Sequence, residues 1–284
     1  MRAFVIPNLN KKNGLACTRN VCAALAECGI TPCIEDVNQN SFTGVGAQFA
    51  GFDPLMNTCD FVITVGGDGT LLHAAKKAAF CGKPVIGINV GRLGFMTMLE
   101  PTELSLLRRL ADGEYEIEER MMLDIVKTSD STQAHYHALN DAVISKGAHS
   151  KIIDLSLCCN DNPVSCYRAD GIILSTPTGS TAYSMSAGGP VISPCIESIV
   201  MTPICAHSLV SRTILFAPDD VVSVCGCYDN GEFEAYLTVD GEDAVPIGPG
   251  DTVLAKKSKT SVKFLRLDDR DFFNVFNKKI MLRS

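Results

Sequence analysis

The segment that most constrains this chain is Val65-Gly66-Gly67-Asp68-Gly69-Thr70-Leu71-Leu72, a glycine-dense turn between two patterned stretches. Before it, Phe61-Val62-Ile63-Thr64-Val65 reads as a buried strand; after it, Leu71 to Phe80 has helical periodicity. Without Cβ atoms, Gly66, Gly67 and Gly69 let backbone N–H groups come close to a phosphate, and the following helix adds its positive amino-terminal end. The pattern is neither Gly-x-Gly-x-x-Gly nor Gly-x-x-x-x-Gly-Lys-Ser/Thr, so dinucleotide dehydrogenases and P-loop enzymes are disfavoured. Asp68 would repel phosphates unless it holds a metal ion or takes a proton from an attacking hydroxyl, and both roles point to phosphoryl transfer. The alternative is a plain tight turn with Asp in left-handed geometry.

The turn sits in an alternation of elements. Ala3 to Pro7 reads as a strand, Leu15 to Cys28 as a helix stopped by Gly29, Thr31 to Val37 and Pro84 to Asn89 as further strands. This predicts a Rossmann-like parallel α/β domain over residues 1–115, with Asn38 to Gly51 as its most mobile loop. From Glu116 onward, Met122–Lys127, Ala138–Ser145, Ile152–Cys158, Val221–Cys227, Ala235–Val239 and Val262–Leu267 are short β-rich runs divided by turn signals. They predict a β-rich, sandwich-like domain over 116–267.

A length of 284 residues, 46% hydrophobic and 20% charged, suits two folded domains rather than a disordered chain or coiled coil. The net charge of −7 gives no basic field for nucleic acid or anionic membrane, although a small basic pocket could bind phosphates. The longest uncharged stretch, Gly171 to Ile196, is too rich in Gly, Pro, Ser and Thr to cross a membrane, and the amino terminus lacks a leader pattern, so the cytoplasm is expected. The 13 cysteines include no Cys-x-x-Cys pair and read as buried structural thiols. His135 and His137 have no nearby partners completing a metal site and read as a solvated strand pair.

Further segments follow the loop in order: Asn89-Val90-Gly91-Arg92-Leu93-Gly94-Phe95; Leu139-Asn140-Asp141; Arg168-Ala169-Asp170-Gly171; and Ser175-Thr176-Pro177-Thr178-Gly179-Ser180-Thr181-Ala182-Tyr183-Ser184-Met185-Ser186 through Pro190. With these, the chain resembles the NAD kinase family, which combines the glycine loop, an Asn-Glu/Asp pair and the long hydroxyl-rich segment. Weaker likeness comes from His207-Ser208-Leu209 with Ser211-Arg212, where Ala206 replaces a frequent Pro, and from Asp240-Gly241-Glu242, where the family more often has Asp-Gly-Gln.

The resemblance implies transfer of the γ-phosphoryl group of ATP to the adenosine ribose 2′-hydroxyl of NAD, with a divalent cation such as Mg²⁺. Asp68 is then the base, or a partner of the metal through Mg-ATP, and Gly66, Gly67, Gly69 and Thr70 form the phosphate loop. Asn140 and Asp141 would hold the dinucleotide; Asp170, Thr181, Ala182, Tyr183 and Ser186 would line the adenine pocket; Leu72 and Phe95 would supply apolar walls. It also implies an active site between the domains, a homo-oligomer (dimer or tetramer) sharing the adenine pocket, and a return of residues 268–284, with Phe272, Phe273 and Phe276, to the first domain. On the residues alone, Asn140-Asp141 could be an ordinary turn, Phe95 a core residue and His207 a structural histidine. The hydroxyl-rich run Thr176 to Ser186 needs many polar partners, some of which a ligand could supply. Diacylglycerol-type lipid kinases and 6-phosphofructokinases share the Gly-Gly-Asp-Gly loop, and Thr176 to Tyr183 separates this chain from them. A non-catalytic NAD(P)-binding regulator is the other rival, disfavoured by the intact Asp68.

Overall fold

The structure, a computed structural model, describes residues 1–91, 94–130, 132–147, 151–207, 211–227, 234–248 and 250–281. It divides into two compact units, Met1–Glu119 with Val262–Ser284, and Arg120–Ser261.

The first unit holds strands β1 (Arg2–Pro7), β2 (Thr31–Glu35), β3 (Gln48–Ala50), β4 (Phe61–Gly66) and β5 (Val85–Asn89), all parallel, in the order β3-β2-β1-β4-β5. Both faces of β4 and β5 are buried, which is why these strands read as unbroken apolar runs. Helix α1 (Gly14–Glu27) turns Cys17, Val21, Cys22 and Leu25, one stripe of a helical period, into a core with Val5, Ile63, Ile86 and Ile88. The chain leaves β1 toward β2 on one side and leaves β4 toward β5 on the other, so the sheet reverses direction between β1 and β4. Ligands of open parallel sheets collect beyond the carboxyl ends of strands at such a reversal.

Two local expectations need correction. Asn38 to Gly51 is not one irregular loop: it contains most of a 3₁₀ turn, Asp36–Ser41, the fully buried Phe42, and β3 paired with β2. The early end of β2 follows from the Asp and Asn residues beyond Glu35, whose side chains favour turns over strand. Helix α3 (Asp68–Phe80) follows the shorter α2 (Phe52–Thr58) and starts at Asp68 itself, so the glycine turn is tighter than the apolar pattern suggests.

The second unit takes up the chain within β6 (Glu116–Ser129) and continues through β7 (Thr132–Ala138), β8 (Asp141–Lys146), β9 (Ile153–Cys159), β10 (Asn162–Ala169), β11 (Gly171–Ser175), β12 (Ile199–Ile204), β13 (Ile214–Phe216), β14 (Val222–Gly226), β15 (Ala235–Val239), β16 (Val245–Ile247) and β17 (Thr252–Arg266). One antiparallel sheet runs β13-β12-β11-β8-β15-β16. Against it lie β10, β9, β14 and the first part of β17, joined by the β6-β7 hairpin. Alternation sets the sandwich: Ile153, Leu155 and Leu157 of β9 enter the core with Ile172 and Leu174 of β11 and Leu237 of β15, while Asp154 and Ser156 face outward. His137 is not merely solvated, since its Nδ1 lies 3.0 Å from Asp124 Oδ1 across the hairpin; His135 is exposed. No described helix is long and apolar enough to cross a membrane.

The thiols range from buried to exposed. Cys17, Cys22, Cys33 and Cys59 of the first unit are buried, Cys28 of the first and Cys158, Cys159, Cys225 and Cys227 of the second are half-buried, and Cys81, Cys166, Cys195 and Cys205 are exposed. The reading as buried structural thiols therefore holds for Cys17, Cys22, Cys33 and Cys59 and not for the exposed Cys81, Cys166, Cys195 and Cys205. Burial pushes the Cys22 thiol up to about 12 and the Cys59 thiol up to about 11, suppressing the reactive thiolate. Brief alkylation of the native protein at pH 8, read by peptide mass mapping, should therefore mark Cys81, Cys195 and Cys205 and spare Cys22 and Cys59 until the chain is unfolded. Early labelling of Cys22 would contradict this core.

Candidate active site

A cavity of about 1220 Å³ opens at the sheet reversal of the first unit. Asn8, Asn10 and Lys11 approach it from the end of β1, Gly67, Asp68, Gly69, Thr70, His73 and Lys77 from the turn after β4 and from α3, Gly91 and Gly94 from beyond β5, and Lys279 from the carboxy-terminal helix Phe272–Met281. Its described lining contains Lys11, Lys77 and Lys279 against one acidic residue, Asp68, within a chain of net charge −7. That is the local basic pocket suited to phosphates.

The glycines of the turn do different jobs. A Cβ on Gly66 would lie 2.4 Å from Thr70 Oγ1, so Gly66 is demanded by the fold of the turn, with Asn8 Nδ2 donating to the same hydroxyl at 2.9 Å. Gly67 and Gly69 have no heavy atom within 4 Å of a Cβ position and border the cavity, leaving their backbone approachable. Asp68, in the first turn of α3, is held by a second segment. Its Oδ1 accepts N–H bonds from Met96 (3.1 Å) and Thr97 (3.2 Å), and its Oδ2 accepts one from Phe95 (2.7 Å). Gly94 makes room for this, since a Cβ there would lie 2.0 Å from Oδ1. A carboxylate has about four lone-pair sites, so three donors leave one acceptor position, on Oδ2.

In the second unit, Asn140 and Asp141 stand at the start of β8. The expected single strand from Ala138 to Ser145 is broken there because Asp240 captures the backbone: its Oδ2 accepts from Leu139 N (2.9 Å) and its Oδ1 from Asn140 N (2.8 Å) and Asp141 N (3.1 Å). Asp240 has φ +51°, in the Asp-Gly turn with Gly241, and that dipeptide was the sequence signal for a role that sequence reasoning left unassigned. Burial first, and then the negative charge of Asp240, push the Asp141 carboxyl up to about 7, against a hydrogen bond from the Tyr183 backbone.

The hydroxyl-rich run is more self-sufficient than expected. Thr176 Oγ1 donates to Leu139 O (2.6 Å) and accepts from Gly179 N (3.1 Å), Ser180 Oγ bridges both backbone groups of Ile192, Thr181 Oγ1 donates to Thr178 O (3.3 Å), and Ser184 Oγ pairs with Thr202 Oγ1 (2.8 Å). These bonds fix a buried turn; among the described residues Ser175 Oγ is a buried hydroxyl without a partner.

Of the expected site residues, the first unit brings Asp68, Gly67, Gly69 and Thr70 to the cavity. Leu72 is 6% exposed and outside its lining, and Phe95 is half-buried beside Phe276, ring centroids 6.2 Å apart. In the second unit Asp141 meets the Tyr183 backbone, Tyr183 and Ser186 expose their side chains, Ala182 is half-buried, Thr181 is buried, and Asp170 pairs with Lys146 at 2.8 Å. Arg92, Leu93, Ser208 and Leu209 lie outside the described residues. Three backbone donors leave Asp68 Oδ2 one acceptor position, and among the described residues no group of three or more His, Cys, Asp or Glu side chains is placed to hold a metal ion.

A parallel sheet with an open, basic cavity at its reversal and a carboxylate in the glycine turn that borders it defines a nucleotide-handling α/β protein of the phosphoryl-transfer class. Residues 4–115 match the ATP-NAD kinase N-terminal domain and residues 139–267 the ATP-NAD kinase C-terminal domain. The chain is 38% identical over 283 residues to a NAD kinase of Caldanaerobacter subterraneus subsp. tengcongensis, covering 98% of each chain, and 38% identical over 287 residues to one of Acetivibrio thermocellus, covering 100% of this chain and 98% of that one. The chain belongs to the NAD kinase family. In fold it is similar to an NAD kinase from Archaeoglobus fulgidus in complex with ATP (TM-score 0.76, 26% identity, 99% of each chain) and to yeast NADH kinase complexed with NADH (TM-score 0.86, 21% identity, 100% of this chain and 88% of that one).

The raised carboxyl of Asp141 has a consequence for stability. The unfolded chain gives up this proton near pH 4 and the folded chain keeps it until about pH 7, so stability falls as pH rises through that window and stays lower above it. Asp141→Asn removes the ionisation. Its Tm, relative to the unaltered protein, should stand a few degrees higher at pH 8 than at pH 5. A pH-independent difference would show that Asp141 ionises normally.

Proposed function

We propose that the chain makes NADP by transferring the γ-phosphoryl group of ATP to the 2′-hydroxyl of the adenosine ribose of NAD. The observation that carries this reading is Asp68, fixed by three backbone donors at a basic cavity with one acceptor position left on Oδ2. In the transfer, the 2′-hydroxyl gives its proton to Asp68 while its oxygen bonds to the γ-phosphorus. The bond from that phosphorus to the bridging oxygen breaks, and the electron pair leaves with ADP. The turn Gly66–Thr70 borders the phosphates with its backbone, and the cavity's lysines offset their charge.

On the acceptor side, Asn140 and Asp141 hold the dinucleotide, an amide beside a carboxylate being able both to donate to and accept from ribose hydroxyls and base edge. Asp170, Thr181, Ala182, Tyr183 and Ser186 line the adenine pocket, and Leu72 and Phe95 are apolar walls contributed by the first unit's own site. A divalent cation such as Mg²⁺ would accompany the ATP and offset phosphate charge, with Asp68 as the side chain that would meet it. A homo-oligomer is supported by exposed Tyr183 (45%), Ile196 (51%) and Leu215 (51%), apolar groups a second copy would cover. Thirteen free cysteines suit a reducing compartment, the cytoplasm.

Purified protein with ATP, Mg²⁺ and NAD, coupled to an NADP-specific dehydrogenase, tests the activity; no NADP would refute it. Asp68→Asn should lower kcat by about 10² to 10⁴, the range of a general base, measured in protein that still folds although its Tm drops, since an amide cannot accept all three backbone bonds. Near-normal kcat would remove Asp68 from the chemistry. Asn140→Ala should raise KM for NAD by about tenfold, the loss of about 1.4 kcal/mol of binding, and leave KM for ATP alone. An effect confined to ATP would move Asn140 to the donor side. Light scattering should show at least a dimer, shifted further toward assembly by NAD; an active monomer under both conditions would refute the shared pocket.

A further inference from the structure

The carboxy-terminal helix Phe272–Met281 brings a lysine to the cavity. Lys279 Nζ stands 3.4 Å from the centroid of the Phe95 ring and 4.0 Å from Asp68 Oδ2, with its side chain only 12% exposed, and it lines the cavity. The helix is held there by a chain of contacts. Phe264 of β17 pairs with Val85 of β5, Arg109 Nη1 donates to Leu267 O at 2.5 Å, and Arg270 Nη2 donates to Met98 O at 2.8 Å and to Glu103 Oε2 at 3.1 Å. Burial alone would raise the Asp268 carboxyl, but hydrogen bonds and charge from Arg270 outweigh it and hold it below the usual range, so this clamp is ionic. Phe276 then meets Phe272 and Phe95, centroids 6.0 and 6.2 Å away, and one turn later the helix delivers Lys279.

We propose that Lys279 is a further catalytic residue, an ammonium that contacts the transferring phosphoryl group; this rests on the reading of the cavity as the phosphoryl-transfer site. The separation carries the inference. At 4.0 Å the ammonium does not close on the carboxylate, whereas two groups each about 2.8 Å from one shared oxygen stand about 4–5 Å apart. The attacking 2′-oxygen seated on Oδ2 is therefore within reach of Nζ, and the phosphoryl group that bonds to that oxygen comes to the same place. The chemistry uses a cation there: Asp68 is the acidic group of the described cavity lining, and the phosphoryl brings further negative charge beside it. Stacking on Phe95 aims the ammonium without neutralising it, because a ring face attracts a cation but is not an anion.

Lys279→Met keeps an unbranched apolar side chain on Phe95 and removes the charge, while Lys279→Arg keeps the charge. With ATP and NAD, kcat is expected to fall about 10²-fold in Lys279→Met and to recover at least tenfold of that in Lys279→Arg, with KM for NAD little changed. A Lys279→Met enzyme within about threefold of normal kcat overturns the proposal, as does a well-folded Lys279→Arg no better than Lys279→Met. Calorimetric titration with inorganic tripolyphosphate gives a second readout that requires no turnover, so a failed NADP assay would sink the assigned reaction without deciding Lys279. There the expected result is a Kd raised about tenfold in Lys279→Met and restored in Lys279→Arg. Equal Kd values in all three proteins overturn the contact. Lys279→Gln, neutral but more soluble, takes the place of Lys279→Met in both measurements if the latter does not fold.

Discussion

The first unit depends on one carboxylate in a cage of backbone. Asp68 begins α3, where a negative charge is favoured by the helix dipole, and its oxygens accept from three consecutive residues, Phe95, Met96 and Thr97. Charge-assisted bonds of this kind are stronger than neutral ones and fix position as well as energy. They bind the turn after β4 to the segment after β5 and thereby set where Phe95 stands, on which Lys279 in turn rests. Gly94 permits the close approach. The same group is thus a structural tie and the proposed base, and its fourth acceptor position is what allows both.

The second unit repeats the device. Asp240 gathers the N–H groups of Leu139, Asn140 and Asp141, interrupting a strand that β propensity would otherwise continue. The amides so satisfied leave the Asn140 side chain free of that structural duty, while Asp141, buried and beside a second carboxyl, keeps its proton to about pH 7. The cost of that crowding falls on stability, and it is the kind of perturbation that accumulates where a protein binds or reacts rather than where it merely packs.

Sequence periodicity exposed the elements whose burial is simple. β4 and β5 are buried on both faces and α1 carries a clean apolar stripe, so strand, helix and the parallel character of the layer were legible, as was the glycine turn. What escaped depended on distant pairing. β10 is exposed over most of its length and is a strand because β9 accepts it, β3 is three residues fastened to β2, and the internal bonding of Thr176 and Ser184 involves partners 37 and 18 residues away. The roles of Asp240 and Lys279 were hidden for the same reason, since neither stands near its partner in sequence.

The electrostatics of the cavity connect these points. A chain of net charge −7 repels polyphosphates at long range, but screening confines that repulsion to roughly 8 Å at physiological salt. Inside the cavity the local lining decides, and there Lys11, Lys77 and Lys279 outnumber Asp68. Two of those cations are seated on rings, Lys77 over Phe52 at 4.5 Å and Lys279 over Phe95 at 3.4 Å. A ring face restrains an ammonium while sparing its charge, whereas a carboxylate would cancel it. Placing lysines on phenylalanines is therefore a way to keep a phosphate site positive and ordered within an acidic protein.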